Sequence, residues 1–343
     1  PDDFEDGLAA CNLLPGPAST QLAIFCAWRL RGVRGALVGG ACFIVPGLAL
    51  IIVLSALFLA AHPPLWIEGA AAGAGAAVPA VTLRASLLLV PASWKRTGGG
   101  GGAGIRWVVY FVVGAVAAST VGALLVVVLA LSGANEILAT TTRRGGQRLT
   151  SVVVVVPLLS AATAAGAVGA LAWVAFKVGA LSYGGGFVII PLMQHDAVTT
   201  YHWMSGGQFL NAVALGQVTP GPVVQTVAVV GYAASGVGGA LLAAAIAFAP
   251  SFVFVIVGGP HFDRIRRSGM VQAFLTGAGA CAIGAIAGAA VPLSRELSHL
   301  WQMAPLAAAA LWLFVLRRNV VVGIVGAGVI GVIAALAGAA VGH

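Results

Sequence analysis

Two short strings interrupt otherwise apolar stretches in the same way: Leu14-Pro15-Gly16-Pro17 and Thr219-Pro220-Gly221-Pro222. Proline lacks a backbone donor and its ring clashes with the preceding turn, so two prolines around a glycine break a helix. A break frees backbone N–H groups and creates a helix N-terminus, whose donors and positive dipole end attract an anion. The flanking side chains are neutral hydrogen-bonding groups: Asn12, Ser19, Thr20 and Gln21 around Gly16, and Gln217, Thr219 and Gln225 around Gly221. Together they suit an oxyanion held without a metal. The same groups have a plainer use, repairing backbone bonds that a kink leaves open. Their occurrence at both breaks favours binding.

A third irregular stretch, Lys177-Val-Gly-Ala-Leu-Ser-Tyr-Gly-Gly-Gly, precedes the short apolar run 187–193. A cation within a membrane segment is costly and faces a cavity or a partner, so Lys177 is a candidate charge for an anion; the alternative is a lysine that snorkels to the interface. Ser182 and Tyr183 add hydroxyls, and Gly184, Gly185 and Gly186 allow close backbone approach or a positive φ. Arg84 stands deep in the apolar segment 69–93 and would pair with substrate or with a carboxylate. His195 and Asp196 could relay protons or cap a helix at the interface. The four cysteines lie in apolar context without CxxC spacing, so neither a disulfide framework nor a zinc site is expected. No cofactor is expected. Six glycines among residues 98–104 read as a flexible loop, without a nucleotide-binding motif. HExxH and paired intramembrane aspartates are also missing, so an intramembrane enzyme is the weaker alternative to an anion carrier or channel.

The elements that must carry these residues follow from composition. Apolar residues make up 60% of the 343, charged residues 8%, and the mean hydropathy is +1.04. A soluble exterior needs far more charge. Runs 35–61, 107–132 and 320–342 contain no charged residue, and about 20 apolar residues cross a bilayer as a helix. Barrel strands would alternate apolar and polar residues; these runs do not. The expected fold is therefore all-α, a polytopic transmembrane bundle, with full spans near 35–61, 69–93, 107–132, 149–170, 236–258, 271–293, 298–316 and 320–342. The net charge of +8 sits in short basic clusters between apolar runs, which fits loop anchoring beside a lipid bilayer and argues against nucleic acid as a partner.

The breaks also expose a repeat. Pro15-Gly16-Pro17 matches Pro220-Gly221-Pro222 at an offset of 205, Phe4 matches Phe209, and Asn12 matches Gln217. From there the offset is 204: Gly35-Ala36-Leu37 matches Gly239-Ala240-Leu241, Pro46 matches Pro250, and Gly73-Ala-Gly75 matches Gly277-Ala-Gly279. Residues 1–165 and 166–343 are expected to be two related halves with broken helices. The first half lacks a counterpart of 177–186, as if the chain's beginning were missing. Arginines fill loop 29–34 and leave its match, 233–236, empty; loop 62–68 has none, whereas 259–270 has three. Matched loops of opposite charge predict an inverted repeat, with 29–34 and 259–270 cytoplasmic. Loop 133–148, with Arg143, Arg144 and Arg148, conflicts with that scheme, which puts it outside.

These residues resemble the two-domain form of the chromate ion transporter family. The resemblance is carried by Phe176-Lys177-Val-Gly-Ala-Leu-Ser-Tyr-Gly-Gly-Gly-Phe187, Pro191-Leu-Met-Gln-His195, Gln208-Phe-Leu-Asn211 and Ala214-Leu-Gly-Gln-Val-Thr-Pro-Gly-Pro222, and in the first half by Asp6-Gly-Leu-Ala and Leu14-Pro-Gly-Pro-Ala-Ser-Thr-Gln-Leu-Ala23. It implies a multi-pass inner-membrane exporter of chromate that confers resistance, with sulfate, a tetrahedral dianion of similar size, as competitor or alternative substrate. A homodimer is compatible with it. Departures from the family pattern are Asn211, where an acid is frequent and Asp6 retains one, Asn12 in place of glutamine, and the missing first glycine-rich segment.

Overall fold

The computed structural model describes residues 16–60, 62–98, 100–120, 124–143, 166–182, 186–259 and 267–340. Every regular element among them is helical: α1 (Ala18–Phe58), α2 (Leu65–Arg96), α3 (Gly101–Thr120), α4 (Leu125–Arg143), α5 (Ala167–Leu181), α6 (Ile189–Gln194), α7 (Gly206–Val218), α8 (Thr226–Gly258), α9 (Gly269–Arg295), α10 (Met303–Ala310) and α11 (Val320–Leu336). Five helical segments are long and apolar enough to cross a membrane. Most of the predicted span 149–170, and Asn12, Tyr183, Gly184 and Gly185, lie outside the described residues.

α1 and α8 are each two antiparallel arms. Arg31 (φ −141°, ψ 23°) and Gly32 (φ 59°, ψ −147°) leave the helical region, and so do Ser235 (φ −156°, ψ 32°) and Gly236 (φ 62°, ψ −152°). A Cβ on Gly35 would collide with the Ala27 carbonyl, and one on Gly239 with the Gly231 carbonyl. Residues eight apart lie about 12 Å from each other along a straight helix, so both contacts require the chain to reverse. The positive φ that each reversal needs is supplied by glycine. The two turns occupy positions matched at an offset of 204, and the breaks, matched at an offset of 205, share their conformation: φ is +132° at Gly16 and +138° at Gly221.

α1 and α8 cross with opposite sense. Trp28, beside the first turn, packs on Gly259 at the C-terminal end of α8, Phe252 packs on Gly40, and Gly47 lies against the carbonyl of Pro220. The turn at 31–32 therefore sits at one face of the bundle. The turn at 235–236, about 33 Å away along the second arm of α8, sits toward the other.

The central pair is α2 and α9. Ser86 Oγ donates to the Ile283 carbonyl at 2.8 Å, and Ala72 and Glu296 line one cavity, so the two helices run antiparallel. α3 and α4 cover α9, through Gly284 on Phe111 and Gly277 on Ser132; α11 covers α2, through Gly73 on Ala327 and Gly69 on Gly331. Small residues let these backbones meet, which is how helices pack where lipid offers no hydrophobic drive.

The uncharged run 107–132 is not one crossing. α3 ends at Thr120, where the Ser119 and Thr120 hydroxyls donate back to the Val116 carbonyl at 2.9 and 2.7 Å. α4 then returns antiparallel: Arg106, near the start of α3, pairs with Glu136, near the end of α4, at 2.7 and 2.8 Å, and Tyr110 donates to the same carboxylate at 3.2 Å. The C-terminal end of α4 thus comes back to the face that holds the first turn and the start of α9. The conflict noted for loop 133–148 came from counting α3 and α4 as a single span. Two further expectations are corrected. Residues 101–104 are the first turn of α3 rather than loop. Arg106, grouped by sequence with Lys95 and Arg96 among the basic clusters between apolar runs, is a helix residue with a buried partner rather than a loop anchor.

Candidate functional site

Both breaks end in a helix N-terminus within the apolar thickness. Gln21 N donates to the Pro17 carbonyl at 3.0 Å, and Gln225 N to the Pro222 carbonyl at 2.9 Å. These are the first backbone bonds of each arm, so the amides just before them have no intrahelical acceptor. Ser251, beside Gly16, stands about 10 Å from the end of α8, which puts that break well below the surface.

Each break is braced by the other half. Gln225 Nε2 donates to the Ile44 carbonyl at 3.0 Å, and its amide lies against both Gly221 and Gly47. Ser251 occupies the position matched to Gly47, and its hydroxyl lies 3.3 Å from where a Gly16 Cβ would be; the Gln21 amide fills the rest of that space. Ser182, the residue that ends α5, links the two breaks. Its carbonyl accepts from Gly16 N, and its hydroxyl lies 3.5 Å from a Cβ placed on Gly186, which itself abuts Val223 and Val224.

Hydrogen-bonding capacity is left over in this zone. Thr20 Oγ1, Ser182 Oγ, Gln217 Nε2, Gln225 Oε1 and Ser251 Oγ are buried and have no partner among the described residues. Such groups are rare in folded proteins because each costs about 1–3 kcal/mol. They lie at the two breaks and at Ser182 between them; the hydroxyls and Gln217 Nε2 can donate, whereas Gln225 Oε1 only accepts. Gly16 is buried whereas Gly221 is exposed, so the second break is the accessible one.

Other expected residues are placed elsewhere. Ser19 faces outward. Thr219 is buried, and its hydroxyl donates to the Leu215 carbonyl at 2.8 Å, serving the end of α7. Lys177 is neither snorkelling nor solitary: Nζ meets Asp196 Oδ2 at 2.6 Å, with the side chains 15% and 10% exposed, and lies 5.7 Å from the centre of the Trp173 ring. Asp196 is therefore buried in an ion pair, in a π-helical turn after α6, rather than capping a helix at the interface. His195 makes no side-chain hydrogen bond with it. Arg84 is half-buried and has no carboxylate partner among the described residues.

Ser251 escaped the sequence reading, although its position after Pro250, matched to Pro46-Gly47, was a usable signal. Among the described residues no three His, Cys, Asp or Glu side chains converge as metal ligands. The arrangement supplies neutral donors, helix N-termini and an accessible break, which is the equipment for binding and releasing an anion.

The chromate transporter family model matches residues 1–136 and 169–332. The chain belongs to that family. It is similar to the chromate transport protein of Cupriavidus metallidurans, 30% identical over 302 residues that cover 86% of this chain and 73% of the relative. The probable chromate transport protein of Synechococcus elongatus is 27% identical over 300 residues, 87% of this chain and 76% of its own. A chromate transport protein of Pseudomonas aeruginosa is 33% identical over 162 residues, 45% and 39% of the two chains. No solved structure matches the chain. The family is one of transporters rather than enzymes, and this member is a multi-pass helical membrane protein.

Proposed function

We propose that this protein carries chromate across the inner membrane, outward from the cytoplasm, and thereby confers resistance to it. The oxyanion is held between the two Pro-Gly-Pro breaks. The observation that carries this is the set of unpartnered buried donors on Thr20, Ser182, Gln217 and Ser251. A kink needs none of them, whereas a desolvated tetrahedral dianion needs several donors. Lys177 is already neutralised by Asp196, so the anion is held by neutral hydroxyl and amide donors and by the two helix N-termini. Sulfate presents the same shape and charge and competes for the site.

Orientation has its own support. Arg29, Arg31 and Arg34 at the first turn, Lys95 and Arg96 at the end of α2, Arg267 before α9 and the end of α4 share one face. Positive loops mark the cytoplasmic side. Matched breaks and turns of opposite sense favour two inverted halves, 1–165 and 166–343, moving against each other around the site. A homodimer is part of the proposal, and the mass of the purified protein in detergent checks it.

Inside-out vesicles bearing the protein should accumulate labelled chromate with saturation, and unlabelled sulfate should slow that uptake. Uptake no faster than in empty vesicles, or a rate that never saturates, would discard a carrier of oxyanions.

A further inference from the structure

Far from the breaks, at the opposite end of α7, lies a cavity of about 190 Å³ whose polar lining includes Ser205, Asn211, Glu296, Ser298, His299 and Gln302. Two of these residues are unspent. Asn211 is only 3% exposed and lines the cavity; its Oδ1 packs on Gly75 of α2, and its side chain makes no hydrogen bond among the described residues. The Glu296 carboxylate lies against Gly206 so closely that a Cβ there would collide with it, yet it forms neither an ion pair nor a hydrogen bond among the described residues. Ser298 is exposed, and the rest are engaged: Gln302 Oε1 accepts from His299 N at 3.0 Å, and Ser205 Oγ from Gln208 N at 3.1 Å.

We infer that this cavity is a binding site for a monovalent metal cation, with Glu296 as its charge and Asn211 Oδ1 among its oxygen ligands. One carboxylate with neutral oxygens matches a single positive charge, and hard oxygen donors suit an alkali ion rather than a soft transition metal. Among the described residues, α2 and α7 bring no titratable side chain to the lining, and the only other such group there is His299. Internal symmetry points the same way: the residue matched to Asn211 in the first half is Asp6, so an acid present in one half is replaced in the other by an amide that lines one cavity with Glu296. α7 carries this cavity at one end and the second break at the other, a rigid connection of about 20 Å.

The test uses purified full-length protein in detergent without any oxyanion, so its failure leaves the oxyanion site standing. Thermal unfolding is followed as NaCl or KCl replaces choline chloride at constant ionic strength. The wild type is expected to gain stability with one of the alkali ions, saturably. Glu296→Gln should lose that response, and Glu296→Gln with Asn211→Asp, which returns a carboxylate to the same cavity, should regain it. Should Glu296→Gln fail to fold, Asn211→Asp alone decides: a second carboxylate should lower the half-saturating cation concentration about tenfold. A wild type indifferent to both ions, a Glu296→Gln protein that responds like wild type, or an unchanged half-point in Asn211→Asp overturns the site.

Discussion

Gln225 Nε2 donates to the carbonyl of Ile44 at 3.0 Å, across 181 residues of sequence, and so ties the second break to the spanning arm of the first half. Its other amide atom, Oε1, is buried without a partner among the described residues. Gln225→Leu removes that tie at similar volume. Oε1 only accepts and Nε2 is spent on Ile44, so the side chain acts on the anion through the placement of the break. Losing a buried hydrogen bond should cost about 0.5–1.5 kcal/mol of stability, and chromate binding should weaken as the break loosens. Thermal unfolding and calorimetric titration of the purified variant measure the two effects, and a variant unaltered in both would remove Gln225 from the support of the break.

Gly16 and Gly221 share a φ that L side chains rarely adopt, and the Gln21 and Gln225 amides fill the space where a side chain would stand. Alanine at either position should cost about 1–3 kcal/mol in backbone strain and displace the glutamine. Gly221→Leu should go further and close the accessible break to the anion. Chromate uptake should be lost in Gly221→Leu and sharply reduced in Gly16→Ala. Full uptake in both would make the breaks simple kinks.

Lys177 and Asp196 neutralise each other in a largely buried setting. Lys177→Gln leaves a carboxylate alone there, and Asp196→Asn leaves an ammonium. Each should lower stability by about 1–3 kcal/mol, less than a fully buried pair would. The double substitution should recover most of that loss. Uptake then separates two roles: wild-type transport by the double variant makes the pair structural, whereas a stable but inactive double variant assigns its charge to the transport cycle.

Topology can be read with single cysteines in a background lacking the four native ones. Leu30, 80% exposed, serves better than Gly32, whose positive φ would strain a cysteine. Cysteines at Leu30, Lys95 and Arg267 should react with an impermeant thiol reagent from one side, and one at Leu65 from the other. Labelling of Leu30 and Leu65 variants from the same side would refute the orientation and the inversion together.

The class of this protein, its breaks and its internal matches were legible in sequence because their causes are local. Proline and glycine act on their own turn, and hydropathy accumulates over about 20 consecutive residues. Even the reversals were visible as interruptions, since residues 29–34 and 233–236 had already separated apolar runs. What misled was the uncharged run 107–132, where α3 gives way to α4 without any charge to announce it.

Tertiary structure alone decided the partners. Nothing in the spacing says that Ser182 meets Gly16, that Ser251 joins the first break, that Asp196 rather than a substrate neutralises Lys177, or that Glu136 holds Arg106. Between helices in lipid there is little hydrophobic preference to read; alignment comes from small-residue surfaces fitting together and from polar groups finding one another. Those fits depend on helix rotation and crossing. These emerge only when α1 packs on α8 and α2 on α9.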